Sequence, residues 1–161
     1  MSEAAIDAAE ELTRRFGLPL WQLCLTATDA NRFVLRIARA ITKRPKVLVH
    51  NWCYHGTVDE TFAIARPGGT AGAAQARPGN TGPQVDPATT TRVVEINDLA
   101  ATEAALAAGD VAAILIEPAL TNIGIVLPEA GYHAALRELA TKYGALLIAD
   151  ETHTISMGPG G

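Results

Sequence analysis

The sequence is short of cysteine, of lysine and of any long apolar run. Its two cysteines, Cys24 and Cys53, lie in or just after apolar runs and form no Cys-x-x-Cys pair. That excludes a disulfide framework and a zinc site, and it predicts buried, reduced thiols. No segment reaches the roughly 18 apolar residues of a membrane span, and the opening Met1-Ser2-Glu3-Ala4-Ala5-Ile6-Asp7 is acidic where a signal peptide is basic. No membrane partner and a cytoplasmic location are therefore expected. Cationic charge is scarce too, since 13 Lys and Arg face 17 Asp and Glu, for a formal net charge of -4. Arg32, Arg36 and Arg39 with Lys43 and Arg44 form a local basic cluster, but spacings of three and four put the arginines on one solvated helix face. A nucleic-acid partner is not expected.

What is present is the composition of one ordinary domain, 48% hydrophobic and 19% charged over 161 residues. Ser2 and Glu3 open a first helix with Ile6, Ala9, Leu12 and Phe16 on its packing face, and Gly17 stops it. Leu20 to Leu25 reads as a strand, followed by a turn at Thr26 to Asn31. A second helix then directs Phe33, Val34, Ile37, Ala38 and Ile41 inward. Lys46 to His50 is a strand, with a short helix expected from Thr57 to Ile64. Arg66 to Pro87 holds five of the 14 glycines and four of the nine prolines, and is expected to be a loop or an arm.

Regular patterning then returns. Thr91 to Ile96 and Val111 to Ile116 are strands on either side of an Ala-rich helix, capped by Asn97 or Asp98 and running to Ala108. A last helix from near Pro128 to Tyr143 buries Tyr132, Leu136, Leu139 and Tyr143, and leads through Gly144 into a buried strand, Leu146 to Ala149. Strand and helix alternation makes the fold class α/β, a mostly parallel sheet with flanking helices, in one domain spanning residues 1–161.

In such a sheet the carboxyl ends of the strands share one edge, where ligands bind. Asp150 emerges there, followed by Glu151, Thr152 and His153. A lone acid in that place equally caps a turn, and Thr28 or Asp29 equally caps a helix. Trp52 and Tyr54 equally pack against a core. What separates the readings is convergence. The Thr26-Ala27-Thr28 turn offers hydroxyls and free helix-start amides to a phosphate. Asn51 to Gly56 offers aromatic and imidazole groups to a flat ring, and Glu117-Pro118 and Asp150 add acids. A phosphate, a ring and an acid point to pyridoxal 5'-phosphate. A metal at Asp150, Glu151 and His153 is not expected, because adjacent strand-end side chains point different ways. His50 and His133, which have no evident partner, read as packing or surface residues.

The same residues resemble the class III aminotransferases, pyridoxal-phosphate-dependent enzymes of fold type I that include glutamate-1-semialdehyde aminomutase. Thr26-Ala27-Thr28-Asp29-Ala30-Asn31 is similar to the family's Ser-Gly-Thr-Glu-Ala-Asn phosphate turn. Tyr54-His55-Gly56 with Asp59 resembles its Tyr-His-Gly-x-x-Asp segment, Glu117-Pro118 with Asn122 its Glu-Pro turn, and Asp150-Glu151-Thr152-His153 its Asp-Glu-Val-x motif. All four occur in the family's order. The resemblance implies a partial large domain of that fold. In it Thr26, Ala27 and Thr28 hold the phosphate, Tyr54 and His55 lie at the ring, Asp150 pairs with the ring nitrogen, Thr152 packs under the ring and His153 approaches its phenolic oxygen. Glu117 and Asn122 border the substrate.

The implied activity is amino-group transfer between an amine or amino acid and a carbonyl acceptor, by an enzyme that is a homodimer at full length. Tyr54-His55-Gly56-x-x-Asp59 and Asn122-Ile123-Gly124 favour an alternative, an aminomutase of the glutamate-1-semialdehyde type. One departure bears on both. The family's Schiff-base lysine lies well beyond the Asp-Glu segment, and Lys43, Lys46 and Lys142 are at the wrong places to replace it. The family's small C-terminal domain is expected to be missing from these residues as well. The chain is thus expected to be an inactive fragment by itself, and a non-catalytic binding module is the remaining alternative.

Overall fold

A computed structural model describes residues 2–81 and 85–159. Four parallel strands form the central sheet in the order β4-β1-β5-β6, where β1 is Lys46–His50, β4 Thr91–Val94, β5 Val111–Ile116 and β6 Leu146–Ala149. The two inner strands, β1 and β5, read as near-continuous apolar runs because helices or loops cover both of their faces. Their alternation divides the core. Leu48, Ile114 and Ile116 face α4 (Leu99–Leu106) and α5 (Tyr132–Tyr143), where Leu106, Leu136 and Ala140 meet them. Val47, Val49 and Leu115 face the other way, toward Leu35 of α2 (Ala27–Thr42) and Cys53, Val58 and Ala63.

Helix ends follow the sequence cues at several points. Ser2 caps α1 (Glu3–Phe16) and Gly17 closes it in the left-handed region, while Asp98 accepts from the Ala101 amide to cap α4. Arg44 ties β1 to the far side of the sheet by donating to the carbonyls of Val111, Tyr143 and Gly144.

Several expectations are corrected. Leu20 to Leu25 is not a strand: nothing pairs with it among the described residues, and Leu20 and Leu25 are 86% and 98% exposed. Its apolar composition mimics a strand without a neighbour to pair with. Helix α1 buries no residue, and its apolar stripe instead stands open at Ile6. In α2 the buried stripe is Asn31, Leu35 and Ala38, whereas Phe33, Ile37 and Ile41 are exposed. That helix carries two apolar stripes, so periodicity alone cannot say which one meets the sheet.

The segment expected to be helical from Thr57 to Ile64 is a single 3-10 turn, Asp59–Thr61, followed by β2 (Ala63–Ala65). Within the expected 66–87 loop or arm, β3 (Ala74–Ala76) pairs antiparallel with β2, and α3 (Pro87–Thr90) begins at its end. Residues 82–84 of that segment lie outside the described residues. Helix α4 ends at Leu106 rather than Ala108, and α5 starts at Tyr132 behind a left-handed Gly131, not near Pro128. β6 is an edge strand with Leu146 and Ala149 exposed, so it is less buried than its composition implies. Cys53 is buried, but Cys24 is only half-buried.

Candidate functional site

Three strand ends and one helix start meet at the carboxyl edge of the sheet. β1 leads to Tyr54 and Gly56, β5 to Glu117, and β6 to Asp150, Thr152 and His153; with Thr26, Ala27 and Thr28 of α2 they enclose a cleft of about 210 Å³. The fourth segment is therefore a helix N-terminus entered from irregular chain, not the end of a strand.

That N-terminus is open. Thr26 caps α2 by accepting from the Asp29 amide at 3.1 Å, and its own hydroxyl donates to the Asp29 carboxylate at 2.9 Å. The hydrogen of the Thr26 hydroxyl is thus engaged. The Ala27 and Thr28 amides, first in the helix, have no carbonyl four residues back to receive them. The Thr28 hydroxyl accepts from the Thr57 amide at 3.1 Å, which leaves its hydrogen free to be donated. Gly56 makes this approach possible. Its φ is +76°, and a Cβ placed there would stand 2.1 Å from Thr28 Oγ1.

Asp150 lines the same cleft as this cradle. Its amide prolongs the β5 ladder by donating to the Ile116 carbonyl at 2.7 Å. Its Oδ2 accepts from Asn31 at 2.8 Å and lies 2.8 Å from His55 Nδ1, and its Oδ1 accepts from the Thr152 hydroxyl at 2.6 Å. Burial works to raise its pKa, but His55, Thr152 and Asn31 outweigh burial and hold the carboxyl well below the usual carboxylate range. For His55, burial works downward and is outweighed by Asp150, with Cys53 assisting, so that its pKa rises to about 9. The two form a buried charge-assisted pair. His55 stands behind Asp150 and does not line the cleft.

At the end of the neighbouring strand Glu117, 4% exposed, accepts from the Tyr54 amide at 2.9 Å and from the Thr121 hydroxyl at 2.7 Å. Thr121 Oγ1 also lies 2.7 Å from His153 Nδ1. Asn122 is outside the cleft lining and donates to the Trp52 carbonyl at 3.2 Å. Tyr54 is 43% exposed at the cleft, while Trp52 lies beside the Arg77 guanidinium. None of the three lysines lines this space: Lys43 closes α2, Lys46 pairs with Asp110, and Lys142 pairs with Glu103.

His50, expected to lack a partner, has one. Its Nε2 is 2.8 Å from the Tyr132 hydroxyl, and burial, with positive charge at His55, lowers its pKa to about 4. Sequence reasoning also missed Asn31 and Thr121 as members of the site. Asn31 carried one signal, as the last residue of the Thr26 to Asn31 segment that resembles the family's phosphate turn. Thr121 carried none.

The family model for Aminotransferase class-III matches residues 1–160. The chain belongs to the class III aminotransferases. A curated member from Opitutus terrae, named glutamate-1-semialdehyde 2,1-aminomutase, is 39% identical over 152 residues, which cover 92% of this chain and 35% of that protein. The crystal structure of a glutamate-1-semialdehyde-aminomutase from Pseudomonas aeruginosa PAO1 matches with a TM-score of 0.93 and 53% identity, over 100% of this chain and 35% of that one. A variant of that protein has been crystallised in complex with PMP. An omega-transaminase from Sphaerobacter thermophilus matches with a TM-score of 0.84 and 32% identity, over 100% of this chain and 38% of that one. This class III chain thus spans about a third of the length of these relatives. Its fold is that of the fold type I aminotransferases, and the family is pyridoxal-phosphate-dependent.

Proposed function

We propose that this chain is the cofactor-cradling section of an enzyme that transfers an amino group between an amine or amino acid and a carbonyl acceptor. The observation that carries this reading is Asp150, kept ionised by His55 in the same cleft as the open start of α2. When bound, pyridoxal phosphate supplies an electron sink for charge at the substrate's alpha carbon. The residues present fit that group. The Ala27 and Thr28 amides and the Thr28 hydroxyl are donors for a phosphate. Asp150 would accept from a protonated ring nitrogen and hold the proton there. Tyr54, Thr152 and His153, which line the same cleft, would hold the ring, with Tyr54 and Thr152 against its faces and His153 toward its oxygen. Glu117, and Asn122 just outside the cleft lining, would border the substrate side, and both hold the loop that carries Trp52 and Tyr54.

An intramolecular aminomutase is the second reading, favoured by the 53% identity to the Pseudomonas aeruginosa protein. The two differ in their requirement for a second substrate. Full-length protein containing this segment should convert an amine and a keto acid together if it is a transaminase, or glutamate-1-semialdehyde alone if it is an aminomutase. Asp150→Asn should abolish either activity. The parent is proposed to act as a cytoplasmic homodimer on small molecules. This segment alone is proposed to be inactive. A non-catalytic binding role is the outcome if neither assay gives turnover in the full-length protein.

A further inference from the structure

Thr121 has one hydroxyl hydrogen and two close neighbours. Glu117 Oε2 lies 2.7 Å away, and His153 Nδ1 also lies 2.7 Å away. The Glu117 carboxylate is surrounded by donors, since its Oε1 accepts from the Tyr54 amide and its Oε2 from the Thr121 amide at 3.1 Å. A carboxylate in that setting only accepts, so the Thr121 hydrogen goes to Glu117. The Thr121 oxygen is then an acceptor for His153, and Nδ1 must carry a hydrogen. Nε2 has no hydrogen-bond partner among the described residues, and His153 lines the cleft.

We propose that Thr121 is a positioning residue that locks His153 as the Nδ1–H tautomer, making its Nε2 a hydrogen-bond acceptor toward the cleft. An imidazole so fixed recognises a ligand group that donates, a hydroxyl or an ammonium, and disfavours a bare anion at that point. It can also take up a proton at Nε2 and return it without breaking the bond to Thr121. A hydroxyl suits residue 121 because its one oxygen donates in one direction while accepting from the other.

The tautomer is read in the protein alone, so failure here leaves the cofactor reading intact. The experiment is magic-angle-spinning NMR of the chain with nitrogen-15 in its histidine rings, a method that tolerates self-association. His153→Gln assigns the signals. The expected spectrum has a protonated-type nitrogen at Nδ1 and a lone-pair-type nitrogen at Nε2. Thr121→Ser should preserve both signals. Thr121→Val should lose the protonated Nδ1 signal and transfer the hydrogen to Nε2. Finding Nε2–H in the unaltered chain, or an unchanged tautomer in Thr121→Val, would overturn the proposal.

Discussion

His55 Nδ1 sits 2.8 Å from Asp150 Oδ2, with the histidine side chain fully withdrawn from solvent and the aspartate 8% exposed. Removing one member of such a pair leaves the other charge buried with weaker partners, a change that typically costs about 3–5 kcal/mol. For His55→Ala the remaining partners of Asp150 are Asn31 and Thr152, both neutral. Urea denaturation should show a loss of that size, with Asp150's pKa moving up toward the ordinary range. A loss below about 1 kcal/mol would mean that Asn31 and Thr152 suffice.

The two buried histidines shift in opposite directions, and stability against pH should record both. His55 titrates near 9 in the folded chain against an ordinary 6.5, so its contribution is complete below 6.5 and is lost as pH rises through 9. His50 titrates near 4, so its contribution is present above 6.5 and is lost as pH falls toward 4. Asp150, with a lowered pKa, contributes above the ordinary carboxylate range and loses that contribution only in stronger acid. Stability should therefore peak near pH 6.5, the ordinary histidine value from which both depart. His55→Gln should flatten the alkaline limb and His50→Gln the limb between 4 and 6.5, as read from denaturation midpoints across the series.

The sheet was legible because β1 and β5 are buried on both faces, and an uninterrupted run such as Val47-Leu48-Val49 suits little besides an interior strand. Leu20 to Leu25 was misread for the complementary reason. An apolar run shows the capacity to be buried, but pairing depends on a neighbour that composition does not reveal. At the site, the strand-end logic found Tyr54, Glu117 and Asp150, which do share one cleft. It could not find Thr121, whose role comes from a hydroxyl placed between two side chains distant in sequence. Nor could it foresee that the Thr26 hydroxyl is spent on Asp29.

Gly56→Ala should be more damaging than an ordinary left-handed glycine replacement. Conformation alone costs about 1–2 kcal/mol for a residue held at positive φ. Gly17 provides the control, with φ of +70° and open space around its missing Cβ, whereas Gly56 adds a 2.1 Å clash with Thr28 Oγ1. Melting temperatures should fall further for Gly56→Ala than for Gly17→Ala, and adding Thr28→Ala should recover part of the difference. Equal losses would show that the Thr28 hydroxyl moves aside at no cost.

Exposed apolar side chains should make this chain self-associate. Leu20, Leu25, Ile125 and Met157 are 78% to 98% exposed, and Leu127 and Ile41 follow at 68% and 65%. Where such side chains form contiguous surfaces, they associate in water. Sedimentation velocity over a range of concentrations should show a rising average mass, and a single well-folded monomer throughout would contradict the expectation.

The positions of the lysines set the limit on what the isolated chain can do with a cofactor. Thr28 and Asp150 offer contacts to a phosphate and to a ring nitrogen across the same cleft, so weak reversible binding is the most this chain should show. A stable covalent link needs an amine within reach of the ring aldehyde. Lys46 leads into the amino end of β1, opposite the cleft, where it meets Asp110 at 3.4 Å. Lys142 is held by Glu103 at 2.6 Å on α5, and Lys43 caps the end of α2 remote from its open start. Incubation with pyridoxal phosphate, borohydride reduction and peptide mapping should therefore give no site-specific adduct, and amino-group transfer by the chain should be undetectable. Specific labelling of Lys43, Lys46 or Lys142, together with turnover that Asp150→Asn abolishes, would reverse this conclusion. It would require one of those lysines to leave its present contacts and reach the carboxyl edge of the sheet.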